Sequence, residues 1–240
     1  MLFRVGDAFK TLYAIRMGSC KTALLARDGH DHVTGYHIAG EIIGMDGIST
    51  DIHDCRATAL EDMEVCPLPF GKIENIARQS HRLRHNLVKL LAQEGTRART
   101  MMMVLGRMSA EQRLAAFLLD LSQRYGQHGY SSCEFLLRMT REEIGSYLGL
   151  KLETVSRLFS RFHHDELIEV QGRAVKLLDR AAMNQMVDGG PCANHAGVWS
   201  AEAYRRPMNQ PGNTDKRIAG TRQSNPAPSA SPPDAGGASS

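Results

Sequence analysis

The sequence predicts an α+β chain in three parts: a strand-rich N-terminal sandwich, roll or barrel, one long helix, and a C-terminal winged helix-turn-helix. Three observations carry this expectation. Short strand-like runs separated by turn signals fill residues 1–70. A single helical periodicity runs over 72–106. A helix–glycine–helix–hairpin order occupies 135–178. The expected divisions are 1–76, 77–107 and 108–187, with 188–240 as a disordered tail poor in large apolar residues.

The first part rests on Leu12-Tyr13-Ala14-Ile15, Lys21-Thr22-Ala23-Leu24-Leu25 and Val33-Thr34-Gly35-Tyr36-His37-Ile38. These runs are punctuated by Met17-Gly18, Asp28-Gly29 and Ala39-Gly40. A tight hairpin turn needs positive φ at its centre, which Asp and Gly tolerate, so Asp28-Gly29 predicts that its flanking strands pair. In the second part Leu83, Leu87, Leu91, Glu94, Ala98, Met101 and Leu105 recur at steps of three and four. That is the seam of a parallel two-stranded coiled coil and predicts a homodimer. Gly95 costs the helix about 1 kcal/mol relative to Ala and marks either a kink or a close approach of two backbones.

Ser109-Ala110-Glu111-Gln112 forms a capping box that opens the next helix. Its apolar face is Leu114, Phe117, Leu118 and Leu121, and Gly126 is placed to end it. After the short strand Phe135-Leu136-Leu137, a second capping box, Thr140-Arg141-Glu142-Glu143, opens a helix through Leu148. Gly149 follows, where a tight turn between helices wants positive φ. The next helix spans 152–164. Then Leu167–Val170, the turn Gln171-Gly172-Arg173 and Ala174–Leu178 make the hairpin wing.

The helix over 152–164 carries the chemistry. Leu152, Val155, Leu158, Phe159 and Phe162 form an inward face, while Glu153, Ser156, Arg157 and Ser160 share the opposite stripe. Arg can bond guanine O6 and N7 together, Glu can accept from the cytosine amine, and Ser can serve either role. Lys151, Arg161 and Arg141 stand at the edges, suited to phosphates of double-stranded DNA.

Other classes find little support. Net charge is only +3, so bulk charge does not argue for nucleic acid. The five cysteines include no CxxC pair, and neither a signal peptide nor a membrane-length apolar run is present, so a reduced, cytoplasmic setting with no membrane partner is expected. No nucleophile–base motif, metal-ligand pair or phosphate loop points to an enzyme.

Leu150-Lys151-Leu152-Glu153-Thr154-Val155-Ser156-Arg157-Leu158 resembles the recognition helix of the fumarate and nitrate reduction (FNR) regulators, a branch of the cyclic-AMP receptor protein superfamily. Leu12–Arg16, Thr34–Gly40, Arg113–Phe117 and Met139–Arg141 resemble that branch as well, and the likeness runs from Leu2 to Met186. It implies a cyclic-nucleotide-binding-like β-roll, a dimerisation helix and a winged helix-turn-helix. It also implies RNA polymerase as a partner, a TTGAT-N4-ATCAA palindrome as the site, and oxygen sensing through a [4Fe-4S] cluster. Cys66, in Met63-Glu64-Val65-Cys66-Pro67, matches the cluster cysteine of the roll. The resemblance places the other three ligands before the first residue of this chain, so no cofactor is secured by the sequence itself.

Lys151 stands where these helices often carry a Ser or Thr cap. Gly95 and Ala98 stand where some relatives have a bulky apolar and an acidic residue, so Ala98 brings no repulsion to the seam. Two rival sensors share the scaffold. Gly40-Glu41 fits the start of a cyclic-nucleotide phosphate cassette, but its Arg-Ser pair aligns with Asp54-Cys55, which repels a phosphate. Haem ligation through His30, His32 or His37 is the other.

Overall fold

A computed structural model describes residues 1–25 and 31–189. The tail expected over 188–240 lies outside the described residues from 190 onward, as do the Asp28-Gly29 turn, His30 and Cys192.

The roll consists of two three-stranded antiparallel sheets. One has the order β4 (Ile42–Ile43), β1 (Thr11–Met17), β6 (Glu64–Pro69). The other has the order β3 (Asp31–Ile38), β2 (Ser19–Leu25), β5 (Arg56–Ala59). β2 and β3 pair as Asp28-Gly29 predicts, with Leu25 opposite Asp31 and Ser19 opposite Ile38. Gly18 has φ 84° and a Cβ there would lie 2.6 Å from the Asp62 carbonyl oxygen, so the step from β1 into the second sheet requires glycine. Between the sheets Phe3, Ile15, Cys20, Ala39, Ile43, Cys55 and Ala57 pack together.

The single helix expected over 72–106 is two. α1 (Phe70–Gln79) ends at Ser80, whose extended backbone breaks the path, and the Ser80 hydroxyl then accepts from Leu83 N at 3.3 Å to start α2 (His81–Arg107). The division expected at 77 is therefore displaced to 81. The apolar spacing continues through the break, which is why periodicity does not register it. The exposed apolar stripe of α2 does not coincide with the expected seam. Val104 is buried, Met101 packs on the main core, and Glu94 is engaged by Arg97, so these side chains face their own chain. The exposed stripe runs through Val88 (59% exposed), Leu91, Ala98 and Met102 (73% exposed). At about 100° per residue it lies roughly 60° round the helix from the expected seam, which retains Leu91 and Ala98 but not Glu94 and Met101. Leu83, Leu87 and Leu105 are half-buried between the two faces.

α3 (Ala110–Gln127) opens with the complete capping box of Ser109 and Gln112. It runs past Gly126, and the left-handed residue is Gly129 at φ 83°. α4 (Arg141–Leu148), α5 (Leu152–His164) and the sheet β7 (Glu134–Leu136), β9 (Ala174–Leu177), β8 (Ile168–Gln171) form the winged helix. α6 (Arg180–Asp188) follows, capped by Asp179 and packed on α3 through Met183 and Val187. The sequence reading did not anticipate it, although Asp179 and the Met183–Val187 spacing are a cap and an apolar face. Val33, Tyr36 and Ile38 of β3 belong to the same apolar cluster as Leu114, Leu118, Ile144 and Phe162. Roll and winged helix thus share one core, which fixes how the DNA-facing elements are carried.

Candidate nucleic-acid interface

α4 begins where the Thr140 hydroxyl accepts from Glu143 N (3.2 Å) and the Glu143 carboxylate accepts from Thr140 N (2.7 Å). It ends at Gly149, left-handed at φ 63°, ψ 39°. The chain can then turn sharply only because of a second glycine. A Cβ on Gly145 would sit 2.6 Å from the Leu150 carbonyl oxygen, the backbone that crosses α4 at the turn. Gly145 is a site residue the sequence reading passed over; its signal is a lone glycine four residues before the turn glycine.

α5 keeps its expected bounds. Val155, Leu158, Phe159 and Phe162 are buried, while Glu153, Ser156, Arg157 and Ser160 are exposed on one stripe. Leu152, expected inward, is 45% exposed, because it is the first residue of the helix and projects beyond the turn that covers the later residues. Lys151 is the N-cap and is exposed, with no side-chain cap bond, so the first N–H groups of α5 have no side-chain acceptor at that end. Arg157 Nε donates to the Glu153 carbonyl oxygen at 3.3 Å, and Ser160 Oγ to that of Ser156 at 3.2 Å. Ser156 and the Glu153 carboxylate are left facing solvent.

Two expected edge cations are differently employed. The Arg141 guanidinium lies 3.3 Å above the centre of the Phe159 ring, where burial lowers its pKa, and it braces α4 on α5. Arg161 pairs with Glu111 of α3 and with Asp165. Phe159 and Glu111 are not readable from spacing as their partners, although Asp165 lies only four residues from Arg161. The wing supplies two cations that the sequence reading did not assign to DNA. Gly172 at φ 61° forms the turn, and Arg173 and Lys176 beside it are exposed.

The arrangement matches known proteins along its length. Residues 112–186 match the Crp-like helix-turn-helix domain and residues 1–80 the cyclic nucleotide-binding domain. The chain is 47% identical over 191 residues to the transcriptional regulatory protein btr of Bordetella pertussis, covering 80% of this chain and 79% of that protein. The chain belongs to the Crp/FNR family. Its members include the fumarate and nitrate reduction regulatory protein of Escherichia coli K12, 39% identical over 185 residues, covering 77% of this chain and 74% of that protein. Among solved structures it is similar to FixK2 from Bradyrhizobium japonicum, with TM-score 0.71 at 28% identity, covering 77% of this chain and 91% of that one. This Crp/FNR member is a DNA-binding transcription regulator of helix-turn-helix type, and its relatives are named as regulators.

The cysteines of this Crp/FNR chain do not gather into a cluster site among the described residues. Cys20 and Cys55 are buried between the sheets. Burial pushes the Cys20 thiol up to about 12, with Glu41 adding to the rise, and burial likewise raises Cys55, helped by Asp46. Both are therefore held as thiols in the metal-free protein. Cys66 on β6 and Cys133 before β7 are exposed on separate elements. Cys66 therefore stands as one accessible thiol. His32 is exposed, and His37 is held through Nε2 by Thr22 Oγ1 at 3.2 Å.

Proposed function

We propose that this protein regulates transcription in response to oxygen or redox state, binding as a parallel homodimer to a TTGAT-N4-ATCAA-like palindrome. The observation that carries the reading is the clear polar stripe of α5, with Glu153, Ser156, Arg157 and Ser160 exposed above a fully packed apolar face. Arg157 and Glu153 read the G·C pair of each half-site: Arg157 is one rotamer change from its helix carbonyl, and Glu153 accepts from cytosine. Lys151, the uncapped start of α5, Arg173 and Lys176 meet phosphates. Arg141 and Arg161 act from behind, by holding α5 in place. The exposed stripe of α2 pairs two copies, placing half-sites about one helical turn apart. RNA polymerase in the cytoplasm is the partner at activated promoters. Among the described residues no helix is long and apolar enough to cross a membrane.

Arg157→Ala is expected to weaken operator binding by about 1–3 kcal/mol per half-site and to relax preference at the G·C pair. Selection of bound duplexes from a pool randomised at that position measures it; an unchanged base preference refutes the assignment.

The redox part of the reading draws on the relatives, whose names include fumarate and nitrate reduction regulators. The four cysteines described here do not furnish the four converging thiolates a [4Fe-4S] cluster needs. The 240-residue chain, reconstituted with iron and sulfide without oxygen, is expected to hold no stoichiometric cluster. Visible absorption with iron and sulfide counts tests this, and an oxygen-labile cluster at full occupancy overturns it.

A further inference from the structure

Between the roll, α2 and α3 lies a cavity of about 390 Å³. Two of its lining residues, Arg97 and Arg124, converge on Glu41, in the turn between β3 and β4 and the only buried carboxylate among the described residues. Its Oε1 accepts from Arg124 Nε at 2.9 Å and from Arg97 at 3.0 Å. Its Oε2 accepts from Arg124 at 2.7 Å and from Ile38 N at 3.2 Å. Four donors fill the acceptor sites of the carboxylate. The two arginines belong to different elements: Arg97 to α2, one residue from Ala98 on its exposed stripe, and Arg124 to α3, which carries the winged helix. Arg124 also donates to the Tyr36 carbonyl oxygen at 2.5 Å and to Asp120 at 3.0 Å.

Burial alone raises the pKa of Glu41, but Arg124 and Arg97 outweigh it and hold the carboxyl down at about 2. His37, 3.9 Å away, is kept neutral because burial lowers it to about 4. The junction therefore gathers two cations and three carboxylates, Glu41 between the arginines, Asp120 on Arg124 and Glu94 on Arg97, all supplied by the chain. A second set of contacts joins roll and winged helix. Lys21 Nζ reaches Glu143 at 2.5 Å, within the α4 capping box. Ser146 Oγ accepts from Val33 N at 3.0 Å and donates to the Asp31 carbonyl oxygen at 3.2 Å, so α4 covers the free edge of β3.

We propose that Glu41 is the positioning residue that locks sensor roll, dimer helix and DNA-binding domain into one orientation, through a bidentate grip on Arg124 and a bond to Arg97. In the locked orientation the α5 stripe is open, so the lock favours DNA binding by removing the freedom of the winged helix before the operator arrives. A signal that acts on the roll reaches the DNA through this junction.

Two readouts on the full chain test it. The first needs no DNA. Hydrogen exchange is measured on the parent, Glu41→Gln, Arg124→Gln and the double variant. The Val33 amide and the amides of α4 should exchange faster in each variant, while β1, β6 and the α5 core keep the parent's protection. Unchanged exchange at Val33 and α4 overturns the proposal; so does a general loss of protection across the roll, which marks a merely structural residue. The second readout rests on the proposed operator. Glu41→Gln should bind it about tenfold more weakly with an unchanged salt slope, since no phosphate contact is lost. The double variant should be no weaker than the worse single, because each residue acts through the other. Additive losses, or affinities within twofold of the parent, contradict it. A parent that prefers no palindrome refutes the functional reading, and the exchange readout still decides the role of Glu41.

Discussion

Ala98→Asp is expected to convert the protein to a monomer and to lower operator affinity on the order of 100-fold or more. Ala98 sits on the exposed stripe of α2, between Leu91 and Met102. In a parallel pair it meets its own copy across the two-fold axis, so one substitution places two carboxylates face to face. An unpaired charge in a buried interface costs about 3–5 kcal/mol, and here there are two with the same sign. Gly95, one turn before, lets the backbones approach closely and sharpens the repulsion. Sedimentation across a concentration series measures the association, and anisotropy with the palindrome measures the binding. The control is Glu94→Ala, on the inward side of α2, which should leave the dimer intact. Ala98 belongs to both stripes, so dimerisation retained by Ala98→Asp would contradict either seam, whereas dimerisation lost in Glu94→Ala would place the seam where the spacing of the sequence puts it rather than where the exposure does.

Phe162→Ala is expected to destabilise the protein by about 3–5 kcal/mol, the range for removing a fully buried phenyl ring. Phe162 is 1% exposed and packs in the cluster that α3, α4, α5 and β3 share. The Phe162 carbonyl oxygen also accepts from Leu167 N at 2.9 Å, the bond that leads the chain from α5 into the wing. Total stabilities of about 5–15 kcal/mol make this a large fraction. Denaturant titration should show a lower midpoint with an unchanged slope. Ser156→Ala, on the opposite face of the helix, should change stability by less than about 0.5 kcal/mol. A cost below about 1 kcal/mol for Phe162→Ala contradicts the packing described here.

The parts legible in the sequence are those fixed by neighbours in the chain. The capping boxes at Ser109 and Thr140, the left-handed Gly149 and Gly172, and the two faces of α5 depend on residues within a few positions of one another. The pairing of β2 with β3 follows from alternation and an Asp-Gly turn. What escaped depends on partners far along the chain. Spacing on α2 shows that an apolar face exists, but it does not tell a face packed on the roll from one offered to a second copy. That is why Glu94 and Met101 were expected on the seam, yet Glu94 engages Arg97 and Met101 joins the core. Arg161 looks like a free cation until Glu111, fifty positions away, takes it. Glu41 looks like part of a nucleotide cassette until Arg124, 83 positions away, fills it. Gly145 and α6 were within reach: the glycine's role and the Asp179 cap with its Met183–Val187 face are local, but a lone glycine in a helix is compatible with several causes.

The central claim is that α5 reads a palindrome as part of a dimer. Binding of the full chain to duplexes carrying TTGAT-N4-ATCAA, one half-site alone, or a scrambled site of equal composition tests it at one fixed salt concentration. The account predicts two protomers per palindrome and at least about a 1000-fold preference over the scrambled duplex. It also predicts a marked loss of affinity when one half-site is destroyed. Equal affinity for all three duplexes, or one protomer bound per palindrome, would contradict it.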